Sequence, residues 1–172
     1  MLVRTSPLYD PIFAASIAIA LAAGATILGA YYFQYVLGLP PCPLCLNERV
    51  AYYVAIPTAV VIAVAARRQG RRGLLMAGLL VVGLVMLASA ALGAYHAGVE
   101  WKFWPGPEDC SGPIESFGRA SDLWRQLNSV HVVRCDAAAW RFLGVSLAGY
   151  NVLISLALAA LAGWALQASR SA

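Results

Sequence analysis

The sequence predicts an all-α membrane protein: a four-transmembrane-helix bundle with one long outer loop that carries a short amphipathic surface helix. Three observations predict it. The 172-residue chain is 61% hydrophobic and only 12% charged, too apolar and too poor in charge to cover a water-facing surface. Four apolar runs, at 12–33, 46–66, 73–95 and 142–166, each suit a hydrocarbon core of roughly 30 Å. The polar residues gather in one segment, 96–141, which holds six of the eight acidic side chains (all but Asp10 and Glu48). With no internal repeat, residues 1–172 read as a single integral membrane domain.

The first run starts after Pro7 and Pro11, which discourage an earlier helix start. It is too long for the apolar part of a cleaved signal peptide, so it reads as a retained span. Ala20, Gly24 and Leu28, with Ala25 and Gly29, place small residues at four-residue spacing, an arrangement suited to close helix packing in lipid. Tyr31, Tyr32, Phe33 and Tyr35 form an interfacial aromatic belt, and Gly38, Pro40, Pro41 and Pro43 force a turn.

The second run carries Glu48 and Arg49 in its first turn, is charge-free afterwards, and has Pro57 as an expected kink. Arg67, Arg68, Arg71 and Arg72 crowd into a tight basic loop before the third run, which is rich in Gly and Ala. The outer segment opens with Trp101, Phe103 and Trp104 at the membrane surface. From Ile114 onward, Phe117, Ala120, Trp124, Leu127 and Val130 recur every three or four residues, which predicts the amphipathic helix; a solvated loop is the blander alternative.

Orientation follows from the basic residues. Raw counts tie, but the dense Arg67–Arg72 cluster next to span ends marks the cytoplasmic side, together with both termini. The outer loop and all four cysteines then face the periplasm, where disulfides survive. The positive charge is thus a topology signal, and nothing in the pattern calls for nucleic acid.

Cys42-Pro43-Leu44-Cys45 stands at the start of the second helix, with Cys110 and Cys135 in the outer loop. Three chemistries are open to such thiols. Zinc sites pair one Cys-x-x-Cys with another or with a spaced His pair. Here Cys110 and Cys135 stand far apart and the histidines are only His96 and His131, which argues against metal. A purely structural use suits the loop cysteines, worth about 3–4 kcal/mol by loop entropy. It suits Cys42 and Cys45 poorly, since so small a ring constrains little. Redox exchange uses all four: it needs a thiolate, a reachable disulfide and an electron sink. A helix N-terminus and Arg49, four residues after Cys45, both favour a thiolate. Arg49 so close to hydrocarbon marks a functional site, or else snorkels beside Glu48. A sink at lipid depth must be lipid-soluble, and a quinone is the natural two-electron acceptor.

The chain resembles the disulfide bond formation protein B (DsbB) family, quinone-dependent thiol oxidases of the bacterial inner membrane. The resemblance runs through Phe33-Gln34-Tyr35, the stretch Pro41 to Arg49 (PCPLCLNER), Tyr95-His96, and Cys135 followed by Trp140-x-Phe142-Leu143-Gly144. It implies that Cys110 takes the attack of a reduced periplasmic DsbA-type thiol oxidoreductase. Cys135 is then its loop partner and engages Cys42, while Cys45 faces ubiquinone or menaquinone from the membrane pool. Arg49 stabilises the charge there and helps hold the quinone. His96 lies near the quinone ring, or simply closes a helix end. Such a dithiol partner has a potential near about −120 mV, so its re-oxidation needs a still stronger sink. Pro43-Leu44 is a variable pair within the motif, and the loop between Cys110 and Cys135 matches loosely. The rival readings are a vitamin K epoxide reductase-like quinone enzyme, whose motif order fits less well, and a non-catalytic scaffold or channel subunit with structural disulfides.

Overall fold

The computed structural model describes residues 10–107 and 134–170. Four helices long and apolar enough to cross a membrane account for most of them: α1 (Pro11–Tyr31), α2 (Pro43–Arg67), α3 (Arg72–Glu100) and α4 (Leu147–Arg170). The expected amphipathic helix from Ile114, with Cys110 and His131, lies outside the described residues. Around the bundle α1 packs on α2, α2 on α3, α3 on α4, and α4 back on α1.

Each helix has a local reason to start where it does. Asp10 caps α1 by accepting from the Ile12 N–H at 3.1 Å, with Pro11 in the first turn. α1 ends in a π-helical turn (Tyr32–Val36), and Gly38 follows at φ +67°. α2 starts at Pro43, nearer the dithiol than the expected Leu46, because Cys42 itself caps it. It stays one helix through Pro57.

The third helix runs past Tyr95 to Glu100, where the sequence reading had placed loop. His96 and Glu100 are buried, so their polarity turns inward rather than ending the helix. It closes with the Phe103 N–H on the Gly98 carbonyl and the Lys102 N–H on the Val99 carbonyl. This is a Schellman ending with Lys102 at φ +65° in the place usually given to Gly. The Trp104 ring lies over Gly98, where a Cβ would fall 2.0 Å from it.

The expected fourth span from Phe142 begins instead at Leu147. Arg141–Phe142 (β1) and Val145–Ser146 (β2) form a small antiparallel hairpin, turned by Leu143 and Gly144, both at positive φ. Ser146 Oγ then accepts from the Gly149 N–H and starts α4.

The core is a seam of small and aliphatic side chains, among them Ile19, Ala23, Ala55, Ala59, Leu79, Met86 and Ala162. Leu28, Val61, Leu74 and Leu153 face outward, as lipid permits. Of the expected stripe, Ala20 packs against the core beside Ala15, Ile19 and Ala23, while a Cβ added at Gly24 would meet nothing within 4 Å. Between α3 and α4, Gly93 faces Asn151 and Val152. A buried polar net crosses this region. The Tyr52 hydroxyl donates to Asn151 Oδ1 at 2.6 Å and lies 3.1 Å from Ser155 Oγ, which reaches Ser89 Oγ at 3.2 Å. On the opposite end, Arg72 donates twice to the Ser169 carbonyl, tying the basic loop to the last turn of α4.

Candidate active site

The helix start at Pro43 organises the site. Cys42 Sγ accepts from the Cys45 N–H at 3.3 Å and lies 2.9 Å from Cys45 Sγ; both cysteines are free. The dipole of a 25-residue helix and its unpaired N–H groups therefore end on this dithiol. Behind it stands His96 of α3, with Nε2 3.6 Å from Cys42 Sγ. The other ring nitrogen, Nδ1, is 2.7 Å from Glu48 Oε1. Glu100, one turn beyond His96, brings Oε1 to 3.9 Å from Nε2. Cys42, Glu48, His96 and Glu100 are all buried.

Cys42 also belongs to a small buried cluster with Leu44 and Cys135, with Cys45 and Leu92 packed against it. Cys135 is disulfide-bonded. The residue after it, Asp136, accepts from Arg134 Nε and NH2 at 2.8 and 2.7 Å and is paired with Lys102 at the end of α3. Arg134, then Lys102, hold the Asp136 carboxyl well below the usual carboxylate range. These ion pairs tie the segment around Cys135 to the end of α3.

On its other side the dithiol opens onto a cavity of about 460 Å³ between α1, α2 and α4. Cys45, Glu48 and Arg49 line it from α2, Gly29 and Phe33 from the end of the first span, and Trp140 and Phe142 from the hairpin. Arg49 donates to Gln34 Oε1 at 2.6 Å, and its guanidinium lies 5.5 Å from the Tyr31 ring centroid. Trp140 packs on Phe33 with ring centroids 5.0 Å apart and stacks with Phe142 at an interplanar angle of 9°. The space is apolar, flat-walled and of ligand size, with a guanidinium and a thiol at one end.

Of the residues singled out from sequence, Cys42, Cys45, Arg49, His96 and Cys135 come together here, while Cys110 lies outside the described residues. His96 is not on the cavity wall; it sits between Cys42 and Glu48. Glu48 and Gln34, quoted in the motif without a chemical role, each hold a site residue. The signal for Glu48 was available: a carboxylate in an apolar run needs a partner. Nothing in local pattern pointed to Tyr52, Asn151 or Gly29.

A multi-pass helical bundle that buries a dithiol at a helix N-terminus beside a disulfide-bonded cysteine defines, as a class, a membrane oxidoreductase of disulfide chemistry. The comparisons with known proteins agree. The family described as Disulfide bond formation protein DsbB matches residues 13–165, and the chain belongs to it. It is similar to the disulfide bond formation protein B of Albidiferax ferrireducens, at 34% identity over 74% of this chain and 75% of the relative. The Azoarcus sp. protein of that name is also 34% identical, over 78% of this chain and 80% of the relative. The Nitrosomonas europaea protein is 33% identical, over 84% and 87%.

Proposed function

We propose that this protein re-oxidises a periplasmic DsbA-type dithiol protein and passes the two electrons through its two cysteine pairs to ubiquinone or menaquinone in the membrane. One observation carries the reading: the Cys42–Cys45 dithiol lies between a disulfide-bonded cysteine and an apolar cavity. Cys42 packs with Cys135, and Cys45 lines the cavity with Arg49.

The cavity fits a quinone. Its volume, its aromatic walls and the open space at Gly29 suit a flat ring, and Arg49 supplies a cation for the ring oxygens. Cys45, Arg49, Phe33 and Trp140 would hold it. A quinone bound there takes up two electrons and two protons.

The chain's own steps are thiol–disulfide exchanges, and they balance. A thiolate of the partner attacks Cys110 of the loop disulfide, and Cys135 leaves as a thiolate. Cys135 next attacks Cys42 of an oxidised Cys42–Cys45 pair, and Cys45 leaves as a thiolate beside Arg49. The partner's second thiolate attacks its own mixed disulfide, releasing Cys110. Cys110 attacks Cys135 and restores the loop disulfide, with Cys42 leaving. The result is an oxidised partner and a reduced Cys42–Cys45 pair, the thiol state of the described site. Cys42 leaves toward His96, whose Nε2 can donate to the new thiolate while Glu48 steadies the imidazolium. Burial of Cys42 keeps water from the departing charge.

The cysteine pairs would face the periplasm of the bacterial inner membrane, with both termini cytoplasmic. Arg67, Arg68, Arg71 and Arg72 support this orientation. A reporter fused after Arg72 should be active only in the cytoplasm. For the reaction, purified protein is mixed with a quinone and a reduced DsbA-type dithiol. Quinone reduction should exceed background and fall to it in Cys45→Ser; equal rates in both would sink the reading.

A further inference from the structure

We propose that the reduced Cys42–Cys45 pair and His96 form a site for a thiophilic divalent cation of the zinc and cadmium class, one that only the reduced protein can fill. The inference goes beyond the electron-transfer reading and does not depend on a quinone.

The two Sγ atoms and a His96 ring nitrogen lie within 4.8 Å of one another. Tetrahedral zinc with Zn–S about 2.3 Å and Zn–N about 2.05 Å needs an S···N separation of about 3.6 Å. Cys42 Sγ and His96 Nε2 stand 3.6 Å apart already. The two sulfurs, at 2.9 Å, must open to about 3.8 Å, which small side-chain rotations supply. Spacing along the chain does not reveal this set, because its third ligand arrives from α3.

Two further features point to a cation. With Glu48 accepting from the Nδ1–H of His96, a cation need displace only the Nε2 proton for Nε2 to ligate on the sulfur side; carboxylate–histidine pairing of this kind orients metal ligands. Independently, Glu100 is buried with its Oε2 unpartnered among the described residues, while its Oε1 stands 3.9 Å from Nε2. Glu100 stands outside the three-ligand set and faces the ring as a nearby carboxylate, not as a fourth ligand in place. A cation held by the two sulfurs and the ring would place positive charge beside this buried carboxylate, whose Oε2 has no hydrogen-bond partner among the described residues.

Binding exchanges protons, not electrons: the cation takes two thiolates and an imidazole, and two thiol protons leave. When Cys42 and Cys45 form their disulfide there is no thiolate to give. The site is therefore gated by redox state, and a filled site holds the pair reduced and unable to pass electrons on.

The probe is Cd²⁺ alone, titrated anaerobically into the detergent-solubilised full chain and followed by thiolate-to-cadmium absorption in the ultraviolet. One equivalent should bind the fully reduced chain and none the chain with both pairs oxidised. Relative to the metal-free reduced chain, Cd²⁺ should slow alkylation of Cys42 and Cys45 and leave the rates at Cys110 and Cys135 unchanged. His96→Gln should weaken binding at least tenfold, as should Glu48→Ala by freeing the ring. Protection of the loop cysteines instead, or equal binding by oxidised chain, overturns the proposal without any variant. Equal affinity in a folded His96→Gln protein overturns the role of His96.

Discussion

Oε1 of Glu48 lies 2.7 Å from Nδ1 of His96, joining α2 to α3 immediately behind Cys42, with both side chains buried. A buried pair of this kind is weak evidence for stability as such, but removing one partner strands the other. Glu48→Ala is therefore expected to destabilise the bundle by about 3–5 kcal/mol. Glu48→Gln keeps an acceptor for the Nδ1–H and should cost much less, yet lower turnover because it no longer supports a charged ring. Thermal unfolding in detergent and quinone-reduction rates on the two variants check this. Equal stability of Glu48→Ala and wild type would refute the pairing as a structural element.

Arg49 is held from two sides, by the Gln34 amide oxygen at 2.6 Å and by the face of Tyr31. A planar guanidinium uses both contacts, and an ammonium cannot. Arg49→Lys should raise the quinone KM at least tenfold. Gln34→Leu, which loosens Arg49 without removing its charge, should raise it about threefold to tenfold, less than the full loss of a hydrogen bond to a charged group, because the guanidinium keeps its Tyr31 contact. Steady-state kinetics with varied quinone decide. A Gln34→Leu protein with wild-type KM would mean that Arg49 needs no positioning.

The spans and the site were legible to different degrees, for physical reasons. Apolar runs near 20 residues announce membrane helices, and Pro43 after Cys42 announces a helix start. The hairpin at Arg141–Ser146 was hidden because Phe142, Leu143 and Val145 are as apolar as the helix that follows. The end of α3 was misplaced because His96 and Glu100 look like water-facing residues until Glu48 and Cys42 are brought to them from α2. Gly24 and Gly29 look alike in sequence, yet Gly29 lines the cavity and Gly24 does not. The net of Tyr52, Asn151, Ser155 and Ser89 joins three helices, and no local spacing encodes it.

Asp136 ties the segment after Cys135 to Lys102 at the end of α3. Its carboxyl, lowered by Arg134 and Lys102, contributes stability that is present above the unfolded carboxylate pKa of about 3.9 and is lost as pH falls through the folded value. From pH 5 to 8 this clamp should not titrate. Asp136 is 30% exposed on its side chain and its partners more so, and salt should weaken the clamp instead. Asp136→Asn is expected to slow disulfide exchange between the loop and Cys42 severalfold at low salt, with the gap to wild type closing as salt rises. Stopped-flow turnover at several salt concentrations measures it. A gap independent of salt would assign the effect to something other than the ion pairs.

Gly29 offers the sharpest test of the cavity. A Cβ there would meet no atom within 4 Å, and the residue lines the space beside Cys45 and Arg49. A larger side chain at this position should fill the cavity without disturbing a helix contact. Gly to a helix-former within a helix also gains about 0.5–1 kcal/mol in backbone terms. Gly29→Leu should therefore unfold at the same or a higher temperature than wild type while its quinone KM rises at least tenfold. Exchange between the dithiol partner and the cysteine pairs, measured in a single turnover without added quinone, should stay at the wild-type rate. The combination separates occupancy of the cavity from damage to the fold. A stable Gly29→Leu protein with unchanged quinone kinetics would place the quinone elsewhere.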